Sequence, residues 1–286
     1  MAIPAEAAAR LETAFARFES ELARTAAEPG VDEVHDVRVS IRRLEQALDV
    51  FARWLPARES GRTVARLKTV LDRAGEVRDR DIALELISSL ELTVAPAVPE
   101  ALRGERENSS RRLSAAAKKL IDAKAAAAWM ERLRLGKREQ TAALGSLASA
   151  LLPLLARDFI ASGAKLAERG KSRRRLHRFR VAGKRFRYTM ELFSDLYPAA
   201  IAERVATVRK VQTSLGDLQD CVATRRLLRE AGVAGDVMEP LRREEKKRLA
   251  SFRALWPQLF DDNAAREWRR FLKHPERRAP ARKRAR

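Results

Sequence analysis

Two stretches of the chain set a histidine and a file of cations at one shared spacing. Val34–Phe51 reads VHDVRVSIRRLEQALDVF, and Leu176–Phe193 reads LHRFRVAGKRFRYTMELF. With His177 laid over His35, Arg180 falls on Arg38, Val181 on Val39, Lys184 on Arg42, Arg185 on Arg43 and Phe193 on Phe51. Pro198 then falls on Pro56, so the register continues past the stretch. The chemistry such rows perform is anion binding. A guanidinium presents a planar fork that matches phosphate oxygens two at a time, and an ammonium adds a mobile point charge. Lys171–Arg187 holds nine Lys and Arg and no acid, so no carboxylate within the stretch relieves its repulsion.

The two histidines have competing readings. A metal site needs further His, Cys or carboxylate ligands at fixed spacing, and neither copy supplies them in common. Asp36 is matched by Arg178, which argues against a shared His–Asp catalytic pair. Hydrogen bonding to phosphate, or orienting an arginine that binds it, suits His35 and His177 better.

These residues have to be carried by helices. At about 100° per residue, Val34, Val37, Ile41, Leu44, Leu48 and Phe51 form one apolar stripe, and His35, Arg38, Arg42 and Glu45 form a polar one. In the second copy, Leu176, Phe179, Phe186, Met190 and Phe193 take the apolar side. His177, Arg180, Lys184 and Arg187 take the other, with Tyr188 at the edge. The cations border the packed face and are therefore placed to line a groove between helices.

The spacing of apolar residues predicts helices over 5–27, 32–55, 60–73, 79–92 and 100–134, with a boundary near Gly136. The second half predicts helices over 141–168, 173–196, 199–215, 220–231, 236–256 and 263–273. Ala74–Asp79 and Leu215–Asp220 read as matching inter-helix turns. In them Asp79 and Asp220 would cap the next helix or pair with the basic stripe. The expected organisation is a first helical-bundle repeat over 1–136, a second over 137–273, and a disordered basic tail over 274–286.

Composition agrees with an all-α chain. Ala, Leu, Arg and Glu dominate 286 residues, Gly numbers 12 and Pro 11, and no long strand-like alternation occurs. Fifty-nine Lys and Arg against 39 Asp and Glu give a formal charge of +20. That balance calls for an anionic partner such as nucleic acid, a membrane surface or another polyanion. Cys221 is the single cysteine, so no internal disulfide forms. MAIPAEAAAR lacks a signal-peptide pattern, and the uncharged run around Gln140–Ala156 is short and interrupted by Pro153. A cytoplasmic protein without a membrane span is expected. No glycine-rich phosphate loop, nucleophile elbow or paired Cys/His motif appears, so neither a catalytic centre nor a cofactor or metal is expected.

Three elements together carry a family resemblance: His35-x-x-Arg38-Val-x-x-Arg42-Arg43, His177-x-x-Arg180-Val-x-x-Lys184-Arg185-x-Arg187-Tyr188, and Leu215-Gly-Asp-Leu-Gln-Asp220. Taken in this order, over roughly 5–273, they resemble the conserved histidine α-helical (CHAD) family. The resemblance implies two antiparallel helical bundles related by a pseudo-twofold axis, an internal duplication, and a basic central cavity that binds inorganic polyphosphate. It also implies an association with bacterial polyphosphate granules. No E-x-E-x-K motif is present, so the stand-alone form, lacking a triphosphate-tunnel domain, is the one it resembles. On this reading His35, Arg38, Arg42, His177, Arg180, Lys184 and Arg187 form the phosphate-binding rows. Arg43, Arg185, Tyr188, Arg209 and Lys210 flank them. Glu45 and Gln46 stand where the second copy has Arg187 and Tyr188, so the second half should bind more strongly. A general nucleic-acid binder is the alternative.

Overall fold

The computed structural model describes residues 2–139, 144–169 and 173–275. It is all-α, with ten helices among the described residues and one minor strand pairing. Helix α1 is Ala5–Ala27, α2 Val31–Val50, α3 Ala57–Ser89, α4 Ala97–Asp122 and α5 Ala125–Arg132. Helix α6 is Leu144–Arg169, α7 Arg173–Leu192, α8 Ile201–Glu230, α9 Glu239–Leu259 and α10 Asp262–Leu272. The β content is a two-residue parallel pairing of β1 (Ile3–Pro4) with β2 (Arg138–Glu139).

Two compact units emerge, neither continuous in sequence. One comprises Met1–Thr141 and Gly216–Arg248, the other Ala142–Leu215 and Leu249–Arg286. The first unit is built on α1–α4. The three-residue turn 28–30 folds α2 back on α1, and Arg24 clamps the corner. Its guanidinium pairs with Glu21 at 2.9 Å, Glu33 at 2.7 Å and Asp36 at 3.2 Å. The second segment of this unit joins because it completes a core: Cys221, Leu227, Leu228, Met238 and Leu241 pack against Ala83, Leu92 and Leu102. Burial there pushes the Cys221 thiol up to about 11.

The second unit is centred on Phe159 of α6. Its ring lies 5.0 Å from Phe179, 5.6 Å from Phe186, 5.7 Å from Trp256 and 5.6 Å from Phe260. Leu144–Glu168 is long and apolar enough to cross a membrane by length and composition alone. In this fold the Phe159 face of that helix is covered by rings from α7 and α9.

The expected turns at 74–79 and 215–220 are not turns. Helix α3 runs unbroken through Gly75 and Asp79, and α8 through Gly216 and Asp220, so neither aspartate caps a helix. A single glycine costs a helix only about 1 kcal/mol, which long-range packing overrides. The long helix expected over 100–134 divides instead at Lys124, whose φ of 46° is left-handed. Helix α2 starts at Val31, one residue before the expected 32, with Gly30 as its N-cap, and ends at Val50 ahead of a 3-10 turn, Ala52–Trp54, inside the expected 32–55.

Candidate functional site

Both basic helices form hairpins with the helix that follows them. In the first unit, Arg38 Nη1 donates to the Leu71 carbonyl of α3 at 3.0 Å. In the second, Arg180 Nη1 donates to the Leu215 carbonyl of α8 at 2.7 Å. Each arginine sits about as far before its connecting 3-10 turn as the carbonyl sits after it, which is how antiparallel neighbours meet. Gly75 has a packing reason here: a Cβ on it would lie 3.1 Å from Nη1 of Arg38. What read as a turn glycine is a gap through which an arginine reaches a helix backbone.

The α7–α8 hairpin is the more basic of the two. Arg180, Lys184 and Arg187 are half-buried along its edge, while Arg174, His177, Arg178 and Arg185 are exposed on the open face. Val181 stands among these exposed cations with 52% of its surface open, so an apolar contact is available beside them. Among the described residues, Arg174, His177 and Arg178 make no ion pair. Arg187 bonds Glu191 at 3.0 Å and lies 4.4 Å above the ring of Tyr188. Arg209, 61% exposed, approaches the same Glu191 at 3.7 Å, and Lys210 beside it is exposed. Tyr188 is 6% exposed, so it supports Arg187 from beneath and offers no surface to a ligand.

Among the buried donors of this hairpin that have no acceptor among the described residues are Gln212 Nε2 on α8 and Arg187 Nε on α7. Gly183 lets Gln212 approach, since a Cβ there would lie 3.1 Å from its Nε2 and 3.1 Å from Phe159. Nothing in the local sequence marks Gln212 or Glu191 as part of this site. Only the glycine spaced three residues after Arg180 hints at a close neighbour.

The α2–α3 hairpin mixes signs. Arg38 and Arg42 are half-buried, and His35 and Arg43 exposed. Burial raises the Glu45 carboxyl above its ordinary value, opposed by Arg42 and Lys68 and reinforced by Asp72. Asp79 is raised by burial too, opposed first by Arg38 and then by Arg226, whose guanidinium is 3.6 Å away. Of its two expected roles, Asp79 therefore takes the electrostatic one. Among the described residues no cluster of three His, Cys, Asp or Glu could hold a metal.

Glu45 yields a prediction. A carboxyl raised in the folded state holds its proton more tightly than in the unfolded chain. It therefore favours folding below the ordinary carboxylate value, and that benefit disappears as pH rises through its raised value. At neutral pH the charge is a net cost. Glu45→Gln should raise Tm at pH 7, with the gain shrinking below about pH 4, where both states are protonated. A Tm gain that is the same at both pH values would show that burial does not perturb this group.

The chain belongs to the CHAD domain family, whose profile matches residues 9–229. Its fold is similar to the crystal structure of the CHAD domain from the plant Ricinus communis. That match has a TM-score of 0.63 at 21% identity and covers 96% of this chain and 93% of the other. It is also similar to PptA from Streptomyces chartreusis, with a TM-score of 0.55 at 17% identity, covering 93% of this chain and 97% of that one. No curated protein matches the chain.

Proposed function

We propose that this protein is a non-catalytic receptor for inorganic polyphosphate, with the α7–α8 hairpin as its principal binding surface. One observation carries the reading. The stretch 171–187 contains no acid, and Arg174, His177 and Arg178 stand on its open face without an acidic partner among the described residues. Along a helix, cations three or four residues apart rise about 4–6 Å per step, so a row of them can follow a chain that is charged at every unit. The link of the family as a whole to polyphosphate supports the choice of polyanion.

Nucleic acid is the weaker candidate. Sequence-tolerant binding of single strands relies on base stacking against aromatic platforms. Phe179, Phe186 and Tyr188 of α7 are buried, and α2 has no Phe, Tyr or Trp. The proposal extends to the cytoplasm and to polyphosphate granules as the place where such a receptor acts.

The test is a titration with long-chain polyphosphate at about 150 mM salt, with single-stranded DNA as competitor. Tight binding that persists in excess DNA is the expected result, along with a steep loss of affinity as salt rises. Displacement by DNA at equal phosphate concentration would leave the basic rows reading charge alone. Residues 276–286 lie outside the described residues, and their deletion should change the affinity less than threefold, a shift of about 0.6 kcal/mol.

A further inference from the structure

The first unit contains a cleft that the phosphate rows do not use. It has a volume of about 440 Å³, within the range of small-molecule sites. Its walls come from Ile3 of β1, Arg53 and Trp54 of the 3-10 turn, Pro56 at the start of α3, and Arg134 and Lys137 after α5. The charge is one-sided, since three cations and no carboxylate line it. All three are exposed, and among the described residues none has an acidic partner. Arg134 is held with φ at 60°, a left-handed backbone that a non-glycine residue adopts at a cost. Pro56, the N-cap of a 33-residue helix, forms part of the same wall.

The remaining wall is apolar. Trp54 is half-buried, with the Arg53 guanidinium 5.1 Å from its ring centre, and Ile3 and Leu55 are buried beside it. A ligand that satisfies both walls needs an anionic end for Arg134 and Lys137, and a planar body for the indole.

The second copy of the repeat shows that this cleft does not come with the frame. Its 3-10 turn, Ser194–Leu196, occupies the equivalent place, but Asp195 replaces Arg53 and Leu196 replaces Trp54. The space there is also taken. The Tyr197 hydroxyl donates to the Leu272 carbonyl of α10 at 2.8 Å, and its ring stacks 5.8 Å from Phe271. The first copy has an opening where the second has α10.

From this we infer that the cleft binds a nucleoside phosphate, with phosphate on Arg134 and Lys137 and the base against Trp54. The site is separate from the polyphosphate rows and does not depend on them. ADP is the probe. Trp54 reports on the site optically, because Trp129, Trp256 and Trp268 are all buried.

ADP should quench tryptophan emission saturably, whereas adenosine and inorganic tripolyphosphate should each compete for the quenching site at least about tenfold more weakly, whatever tripolyphosphate binds at the basic rows. Arg134→Glu combined with Lys137→Glu should weaken ADP binding by more than about tenfold, as expected when two charge-assisted contacts are lost. Both side chains are exposed, so circular dichroism should show an unchanged fold. In Trp54→Phe, calorimetry should still detect ADP while the optical signal falls. Three results would overturn the assignment: no saturable quench by ADP, a quench titration unchanged in the double variant, or tripolyphosphate displacing the ADP quench at the same concentration as ADP itself.

Discussion

Replacing Arg180, Lys184 and Arg187 together with Gln should lower the affinity for long-chain polyphosphate by about two orders of magnitude. Three charge-assisted contacts at about 1.5–3 kcal/mol each would give more than that. Arg180 and Arg187 are already partly engaged, however, with the Leu215 carbonyl and with Glu191. Their availability to phosphate is correspondingly reduced, which sets the estimate at the low end. The salt dependence should report the loss independently. By analogy with single-stranded nucleic acid, each lost contact should flatten the slope of log K against log salt by about 0.7, or about two for three contacts.

The engaged pair also predicts a cost in stability. Arg180→Gln removes a bond that ties α7 to α8, so Tm should fall by a few degrees while helix content at 25 °C is retained. An open-face variant, Arg174→Gln with Arg178→Gln, separates edge from face because neither residue has a structural partner among the described residues. If that pair abolishes binding and the edge triple does not, the polyanion lies across the open face and the α7–α8 edge is only scaffolding.

Gly163→Ala should be the most damaging single methyl in the second unit. A Cβ at this position would lie 2.0 Å from Cη2 and 2.4 Å from Cζ2 of Trp256, far inside contact distance. The indole has nowhere to retreat, with Phe179 at 5.5 Å, Phe252 at 5.6 Å and Phe260 at 4.6 Å from its own ring. Helices α6 and α9 would have to separate, at a cost of about 3 kcal/mol, the upper end of ordinary overpacking. For a chain of this size that is a Tm lower by roughly 6–12 °C. Differential scanning calorimetry measures it, and near-ultraviolet circular dichroism should lose part of its tryptophan signal. A melt within about 2 °C of the parent would mean that α6 and α9 are not packed this closely.

The sequence and the structure agree where the information is local. Helix α1 occupies the expected 5–27, and every residue assigned to the apolar stripes of the two basic helices is buried, from Val34 to Phe51 and from Leu176 to Phe193. The stripe edges also hold, with Arg38, Arg42, Arg180, Lys184 and Arg187 half-buried at the border.

What was not legible depends on distant partners. Gly75 and Gly216 have the local signature of turns, and only the approach of Arg38 shows that Gly75 is a helical position kept small. The sequence places Tyr188 at the edge of the polar stripe, but the cover that buries it is not encoded nearby. The mixed charge of the first basic helix is legible from Glu45 alone. That Asp72 adds its charge beside Glu45, and that Asp79 faces Arg38, depends on the α3 register, which a break at 74–79 would conceal.

The interrupted first unit has a consequence for how the chain is made. When residues 1–141 have left the ribosome, Ala83, Leu92 and Leu102 present apolar surface whose covering residues, Cys221 to Leu241, have not yet been synthesised. The second unit's opening segment, 142–215, emerges in that interval. Co-translational folding of the N-terminal part therefore has to wait, and a fragment ending near Gly136 would expose this surface permanently. Such a fragment is expected to aggregate or recruit chaperones, while the full chain closes the same surface within itself.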